Sequence, residues 1–237
     1  MARTPHVRVQ AVFFDLGGTL LDFRDPERWA QVASEVGLPI EPEHLGHAVE
    51  EAEAKFDGPG RDPRIESMTT FWGFALSRGV GSEVPVETVE RFIERWRRDR
   101  LPGHLFSDVP RCLEELRGER RRLGVISNSR SEEWLGVALN EFGIADQFEV
   151  LVSSGTEGVA KPDRAIFDRA ARRLGVQNAA AFHVGDLAYT DATAARAAGF
   201  HSVWLNRRGT GFGDDPPEIT SLTELPGFIR DLEGRSR

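Results

Sequence analysis

The stretch from residue 9 to residue 22 most constrains the fold, because an apolar run in it ends abruptly at an acid. Residues 9–14 are rich in valine and phenylalanine, which is typical of a strand buried on both faces of a parallel sheet. Asp15 ends the run, at the position where open α/β sheets bind ligands. Gly17 and Gly18 then allow backbone amides to approach an anion. A strand that simply ends in an Asx-turn is equally compatible with this stretch alone.

Beyond residue 105, short apolar runs alternate with helical patterns. Strands are predicted at residues 123–126, 148–152, 180–184 and 202–205. An alanine-rich helix is predicted after Asp186 and a last helix at 222–232, and the arginine- and glycine-rich stretch 206–217 is predicted to be an exposed loop. Helix starts are predicted at Asp108, at a capping box formed by Ser129 and Glu132, and at Asp163. Strands that alternate with helices of this length predict an α/β fold with a doubly wound parallel sheet.

Residues 23–100 lack strand patterns and contain four amphipathic helical segments. Asp25 and Pro26 supply an N-cap and a first-turn proline for the first segment. Residues 57–60 break the pattern after the second. Aromatic residues recur at helical spacing, which favours the core of a helical bundle. The predicted organisation is therefore a sheet domain formed by residues 1–22 and 101–237, with an inserted all-α domain at 23–100.

Composition excludes several classes of function. The net charge of −8 and the isoelectric point near 5.4 oppose general nucleic-acid binding, which needs a basic face. No apolar run approaches the roughly 20 residues of a membrane span, and no signal-peptide pattern precedes the first strand. The lone cysteine, Cys112, is expected in the core. We expect a cytoplasmic protein, monomeric or homodimeric, whose partner is a small molecule rather than a nucleic acid or a membrane.

Chemically useful side chains follow four predicted strands. They are Asp15, Ser127 with Asn128, Lys161, and Asp186 with Asp191. Because the carboxyl ends of parallel strands share one edge of the sheet, these residues are expected to meet there. Carboxylates from two strands can share a Mg²⁺ ion, while serine and lysine can bind phosphoryl oxygens. Lys161 is one of only two lysines among 30 basic residues, and lysine provides a compact point charge that arginine does not.

Taken together, these motifs resemble those of haloacid dehalogenase-superfamily (HAD) hydrolases. The matching segments are residues 14–20, 126–128, 161–162 and 185–191, and the helical insert lies where members of the C1 type carry their cap. The resemblance implies a Mg²⁺-dependent phosphatase that acts on a small phosphorylated metabolite. Asp15 would be the nucleophile that forms an aspartyl-phosphate, with Ser127 and Lys161 as further catalytic residues.

The same resemblance assigns the binding residues. The Mg²⁺ ion would be held by Asp15, the backbone carbonyl of Gly17 and Asp186, with Asp191 as a supporting acid of the metal site. The phosphoryl group would be bound by Gly18, Ser127, Asn128 and Lys161.

One position departs from the family pattern. Phosphatases of the family usually carry a second aspartate two residues after the nucleophile, where it protonates the leaving alcohol and then activates water. This chain has Gly17 there. Losing a positioned acid/base typically costs about 10²–10⁴-fold in rate. Asp22, a residue of the helical insert or water would have to transfer the proton, unless the leaving group has a low pKa.

Three alternatives follow from this departure and from the motif itself. Family dehalogenases also lack an acid at this position, but they use no Mg²⁺. A catalytically weak HAD-fold protein could instead bind a phosphorylated ligand. The Asp-x-Gly-Gly-Thr segment also resembles the first phosphate loop of actin-like sugar kinases, which predicts a β-hairpin directly after the loop.

Overall fold

The computed structural model describes residues 8–56, 68–98, 103–207, 209 and 216–234. The chain divides into two compact units. The sheet unit comprises Met1–Asp22 and Leu105–Arg237, and the helical unit comprises Phe23–His104. The predicted insert, residues 23–100, lies within the helical unit. Among the described residues, no helix combines the length and the apolar character that a membrane crossing requires.

The expected parallel sheet is present. The strands in chain order are β1 (Ala11–Phe14), β2 (Leu21–Asp22), β3 (His104–Leu105), β4 (Arg122–Ser127), β5 (Val150–Ser153), β6 (Ala181–Gly185), β7 (His201–Leu205) and β8 (Glu218–Ile219). Six of them pair in parallel in the order β5-β4-β1-β6-β7-β8, while β2 and β3 form a separate two-stranded sheet. The fold class predicted from the sequence is thereby confirmed. The short strand β8 was not predicted.

Strand β1 lies in the middle of the sheet. All four of its residues are fully buried, which is why its sequence is a continuous apolar run. Phe14 is in register with Val125 of β4 and with Val184 of β6. The carboxyl ends of these three central strands therefore lie side by side.

Helices cover the sheet and bury its apolar surface. Those of the sheet unit are α5 (Val109–Gly118), α6 (Glu132–Glu141), α7 (Ser154–Glu157), α8 (Arg164–Leu174), α9 (Ala194–Ala197) and α10 (Leu225–Gly234); the helical unit holds α1 (Pro26–Glu35), α2 (Pro42–Phe56), α3 (Met68–Val80) and α4 (Val86–Arg98). The rings of Phe13 and Phe167 both contact Phe200 in the core beneath α8, at centroid distances of 5.7 and 5.6 Å. Cys112 is buried on α5, as predicted.

Helix starts in the sheet unit match the prediction only in part. Asp163 caps α8 by accepting a hydrogen bond from the amide of Ala165. The predicted capping box of Ser129 and Glu132 is wrong, because Ser131 is the N-cap of α6 and accepts from the amide of Trp134. Asp108 stands before α5 as predicted, but its side chain makes no cap hydrogen bond, since arginine, serine and amide donors elsewhere in the unit engage its carboxylate.

Two helices begin irregularly. The alanine-rich segment after Asp186 starts with a π-helical turn, Ala188–Thr193, before α9. The last helix starts with a 3₁₀ turn, Leu222–Glu224, which carries a capping box of Ser221 and Glu224. The sequence pattern gave the existence of both helices but neither of these turns.

The helical unit buries aromatic rings. Asp25 caps α1 by accepting from the amide of Arg28, and Pro26 opens the helix, as predicted. Trp72 of α3 lies at the centre of the core, with its ring centroid 5.6 Å from that of Trp29, 4.7 Å from that of Phe92 and 5.6 Å from that of Trp96. The predicted break at 57–60 lies outside the described residues. The aromatic stripes of the sequence thus form a bundle core.

Candidate active site

The central strands bring three predicted site residues to one edge of the sheet. Asp15 directly follows β1, Ser127 is the last residue of β4, and Asp186 directly follows β6. The amide of Asp15 still donates to the carbonyl of Val184, at 2.9 Å, so the parallel pairing extends into the site. Asp15 and Ser127 are both largely buried. Strand register alone therefore fixes the spacing of these groups.

Lys161 connects two of the acids. Its side chain is 2% exposed, and its Nζ lies 2.6 Å from Asp15 Oδ1 and 2.5 Å from Asp191 Oδ1. The backbone of Lys161 is held by Asn128, whose Oδ1 accepts from the Lys161 amide at 2.8 Å and whose Nδ2 donates to the Lys161 carbonyl at 2.9 Å. Asn128 therefore positions Lys161, a role that its predicted contact with substrate did not include.

Asp191 is completely enclosed. It comes from the π-helical turn after β6, and its Oδ2 accepts from the amide of Leu187 at 3.1 Å. A Cβ atom on Gly185 would lie 2.2 Å from Asp191 Cγ, so only glycine leaves room for this carboxylate. Asp191 thus acts on the site through its contacts with Lys161 and with His183.

His183 is a site residue that the sequence reasoning missed. It lies within β6, is fully buried, and its Nε2 is 3.0 Å from Asp191 Oδ1. Burial lowers the pKa of His183, which favours a neutral ring that donates its Nε2 proton to Asp191. Its ring also meets that of Phe167 edge-on. A histidine inside an otherwise apolar strand, two residues before Gly185, was the signal available in the sequence.

Asp186 faces the loop that follows the nucleophile. Gly18 in this loop has a φ of +74°, and a Cβ there would lie only 2.0 Å from Asp186 Oδ2. Glycine is therefore required at position 18, both by the left-handed backbone and by the approach of the carboxylate. The carbonyl of Asp186 accepts from Trp204 Nε1 at 2.8 Å. Strand β7 thereby helps to fix the acid.

Burial and mutual contact shift the pKa values of Asp15, Asp191 and Lys161. Burial raises the pKa of Asp15 to about 6, against the opposing effect of Lys161. Burial also acts to raise the pKa of Asp191, but Lys161 and His183 outweigh it and hold that pKa well below its ordinary value. Burial disfavours the charged form of Lys161 as well, yet Asp15 and Asp191 raise its pKa above the usual lysine value. Fully ionised, Asp15, Asp186, Asp191 and Lys161 carry a summed charge of −2.

The donor set fits a hard divalent cation. One carboxylate oxygen from each of Asp15, Asp186 and Asp191 lies within 4.8 Å of the others. Oxygen ligands of this kind suit Mg²⁺, and a divalent cation would offset the negative charge of the three acids. Gly17, whose backbone carbonyl is a predicted ligand, precedes Gly18 in the loop that Asp186 approaches.

Comparisons with known proteins agree with this architecture. Residues 9–199 match the family model of haloacid dehalogenase-like hydrolases. The chain is 28% identical to human N-acylneuraminate-9-phosphatase over 243 residues, covering 95% of this chain and 96% of that protein. It is 33% identical to the (S)-2-haloacid dehalogenase of Pseudomonas sp. strain YL, but over 135 residues that cover 55% of this chain and 57% of that protein.

Solved structures share the fold. The magnesium-bound putative HAD-hydrolase YfnB of Bacillus subtilis gives a TM-score of 0.75 at 19% identity, covering 94% of this chain and 99% of that one. A HAD phosphatase from Thermococcus onnurineus gives a TM-score of 0.61 at 24% identity, covering 93% and 98% of the two chains. Since the family model covers most of the sequence, the chain belongs to the haloacid dehalogenase-like hydrolases, in which its relatives include named phosphatases.

Proposed function

We propose that this hydrolase is a Mg²⁺-dependent phosphatase that acts on a small phosphorylated metabolite. The observation that carries the proposal is the carboxylate cluster at the end of the central strand, in which three acids lie close together and two of them contact Lys161. Such a cluster could hold a divalent cation, which would offset negative charge on the acids and on a phosphate ester.

Asp15 is the nucleophile of the proposed reaction. One of its carboxylate oxygens forms a bond to phosphorus, while the bond between phosphorus and the ester oxygen breaks and the leaving group departs with that electron pair. Lys161 donates a hydrogen bond to Asp15 Oδ1 and so holds this carboxylate in one orientation. The product of this half-reaction is an aspartyl-phosphate on Asp15.

Water completes the cycle. It attacks the phosphorus of the aspartyl-phosphate, the bond between phosphorus and the Asp15 oxygen breaks, and inorganic phosphate leaves with the carboxylate restored. Ser127 at the end of β4 is proposed to bind phosphoryl oxygens together with Lys161. The amide of Gly18 donates instead to the carbonyl of Leu21, at 2.8 Å. Asn128 supports the binding by fixing the backbone of Lys161.

The proposed metal ligands are Asp15, the carbonyl of Gly17 and Asp186, with Asp191 in support. A bound Mg²⁺ ion would neutralise charge on the phosphoryl group and on the acids. The carbonyl of Gly17 needs no side chain, so glycine at this position preserves that ligand.

Gly17 nevertheless removes the usual proton donor, which restricts the substrate. An alkyl phosphate needs a proton on its leaving oxygen, whereas an aryl or acyl phosphate leaves without one. We therefore propose that the enzyme prefers leaving groups of low pKa, unless Asp22 or a residue of the helical unit donates the proton. The helical unit is proposed to act as a cap that selects the metabolite and excludes water.

The test is hydrolysis by metal-stripped protein with and without added Mg²⁺. The panel contains p-nitrophenyl phosphate, acetyl phosphate and, from the names of relatives, N-acetylneuraminate 9-phosphate, phosphoglycolate and phosphoserine. We expect Mg²⁺-dependent phosphate release from the first two, abolished in Asp15→Asn. Turnover no greater than that of Asp15→Asn across the whole panel would refute the proposal and favour a protein that only binds phosphorylated ligands.

A companion variant tests the missing acid. Gly17→Asp is expected to increase turnover of alkyl phosphates by up to about 10²-fold, with a smaller effect on acetyl phosphate. An unchanged ratio of alkyl to acyl turnover would show that another group already transfers the proton.

A dehalogenase is the second candidate, favoured by the absence of a carboxylate at Gly17 and by the 33% identity to a named haloacid dehalogenase. In that reaction Asp15 would displace chloride from carbon and form an ester that water then hydrolyses. Chloride release from 2-chloropropionate in the presence of EDTA would support it. The kinase alternative is set aside because the chain belongs to a hydrolase family and continues from β2 into α1 instead of a hairpin. The cytoplasmic location and the monomeric or homodimeric state stay predictions.

A further inference from the structure

Arg207, which follows strand β7, reaches the backbone of the loop after the nucleophile. Its Nε donates to the carbonyl of Gly18 at 3.2 Å, and its Nη2 donates to the carbonyl of Thr19 at 2.8 Å. The partners are 188 and 189 residues apart along the chain. No sequence pattern predicts this contact, because Arg207 lies in the arginine- and glycine-rich stretch that is expected to be an exposed loop.

The guanidinium itself is fixed from its other side. Asp108 accepts from Nη1 at 2.8 Å and from Nη2 at 3.1 Å, and Phe106 lies under the plane with its ring centroid 3.8 Å away. Asp108 Oδ2 also accepts from the hydroxyl of Ser221 and the amide of Leu222, each at 2.9 Å. Burial acts to raise the pKa of Asp108, but these hydrogen bonds outweigh it and lower that pKa. The arginine therefore has one preferred position.

The loop that Arg207 holds is already a tight turn. The amide of Gly18 donates to the carbonyl of Leu21 at 2.8 Å, and the amide of Leu21 donates to the carbonyl of Leu16 at 2.9 Å. These bonds close the turn from within, and Arg207 fixes its outward carbonyls. The same turn contains the carbonyl of Gly17, to which the proposed function assigns the metal.

We propose that Arg207 is a positioning residue, which clamps the loop after Asp15 so that the Gly17 carbonyl stays aimed at the metal site. This inference rests on the proposed function for the identity of that metal. The clamp needs a planar guanidinium fork, because Nε and Nη2 donate to two loop carbonyls while Nη1 and Nη2 donate to the carboxylate of Asp108. Lysine retains the charge but cannot make both sets of bonds.

Arg207→Lys is the test variant, and Arg121→Lys is its matched control. Arg121 in the same unit donates to the carbonyl of Val9 and, at 2.7 and 2.9 Å, to the two carboxylate oxygens of Glu233, and its side chain is similarly enclosed. Val9, however, precedes β1, at the amino end of the strand that Asp15 follows. The two variants lose comparable forks at opposite ends of one strand.

Two measurements separate a positioning role from general stabilisation. Calorimetric titration with Mg²⁺ is expected to show an affinity reduced about 10- to 100-fold in Arg207→Lys, the usual effect of losing a group that orients a metal site, and little changed in Arg121→Lys. Amide hydrogen exchange of metal-free protein is expected to accelerate at residues 16–21 only in Arg207→Lys. Asp108→Asn, which weakens the outer half of the fork, is expected to give a smaller change of the same kind should Arg207→Lys fail to fold.

The outcomes distinguish this inference from the proposed function. Unchanged loop exchange in Arg207→Lys, or in Asp108→Asn should that be the only variant to fold, overturns the clamp whatever the activity. Equal loss of Mg²⁺ affinity in Arg121→Lys also overturns it, since the effect would then be general. Wild-type protein that neither binds Mg²⁺ nor hydrolyses phosphate esters refutes the proposed function, while faster loop exchange in Arg207→Lys still supports the clamp.

Discussion

The two lysines of the chain differ in burial, and the two compact units differ in whether they bury polar side chains. Lys161 of the sheet unit is 2% exposed and contacts two carboxylates. Lys55 of the helical unit is exposed, with its Nζ 4.1 Å from the ring centroid of Phe74. Among the described residues, all the buried side chains that are polar or charged belong to the sheet unit. The helical unit instead buries tryptophan, phenylalanine and aliphatic side chains.

This difference indicates that the sheet unit carries the chemistry, whereas the core of the helical unit contributes mainly to stability. Buried charges cost desolvation energy that pairing only partly offsets, so they are weak contributors to stability and strong candidates for function. Buried aromatic rings contribute directly to stability through their large apolar area. We therefore expect substitutions in the sheet unit to affect metal binding and turnover, and substitutions in the helical core to affect mainly the free energy of unfolding.

The largest expected difference is between two single variants, in which each lysine in turn is replaced by methionine. Lys161→Met leaves Asp15 and Asp191 buried without their common cation, which should lower the free energy of unfolding by about 3–5 kcal/mol and turnover by at least about 10³-fold. Lys55→Met removes only an exposed cation–π contact, worth about 0.5–1 kcal/mol, and should leave turnover unchanged. Urea unfolding and p-nitrophenyl phosphate hydrolysis measure both quantities. Similar losses in the two variants would remove the contrast between the units.

Trp72→Ala should give the largest loss of stability in the helical unit. The Trp72 ring contacts those of Trp29, Phe92 and Trp96, so its removal should cost about 3–5 kcal/mol. Mg²⁺ affinity measured by calorimetry should not change, because the proposed ligands belong to the sheet unit. Val137→Ala, at a side chain that is 57% exposed, is the control and should cost less than about 0.5 kcal/mol. A reduced Mg²⁺ affinity in Trp72→Ala would contradict the separation.

Two glycines with left-handed backbones offer a finer comparison. Gly18 has a φ of +74° and Gly37 of the helical unit has a φ of +90°, but only at Gly18 would a Cβ meet a side chain, that of Asp186. Gly37→Ala should therefore cost about 1 kcal/mol of backbone strain alone. Gly18→Ala should cost about 1–3 kcal/mol, because Asp186 must move as well, and should also weaken Mg²⁺ binding. Thermal unfolding with and without Mg²⁺ tests this, and an equal Mg²⁺ response in both variants would contradict it.

Much of the candidate site could be predicted because its residues interrupt strong local patterns. Asp15 ends an apolar run and Asp186 ends another, and parallel topology then requires both to share one edge of the sheet. The rest depends on which side chains the folded register brings together. The sequence pattern predicts only that His183 lies in a strand and Arg207 in a surface loop. In the structure, His183 contacts Asp191 and Arg207 donates to the Gly18 carbonyl. Neither contact has a signature in sequence spacing.

Helix caps show the same limit on a smaller scale. The spacing of Ser129 and Glu132 predicts a capping box, yet the first helical residue follows Ser131. The carbonyl of Ser129 is engaged instead, accepting from the amide of Gly155 and from the hydroxyl of Ser153. A contact with the neighbouring strand β5 therefore outweighed a local pattern.

The smallest predicted effects concern these caps, for which the two units should not differ. Asp25→Ala removes the cap of α1 in the helical unit, and Ser131→Ala removes that of α6 in the sheet unit. Each should lower the free energy of unfolding by about 1 kcal/mol, since capping satisfies a local backbone amide whatever core the helix covers. Neither should alter Mg²⁺ affinity. Ser129→Ala is the control, because its hydroxyl has no hydrogen-bond partner among the described residues, and it should cost less than about 0.5 kcal/mol. A loss of stability in only one of the two variants would contradict this expectation. It would show that the contribution of a helix cap depends on whether the unit has a charged or an aromatic interior.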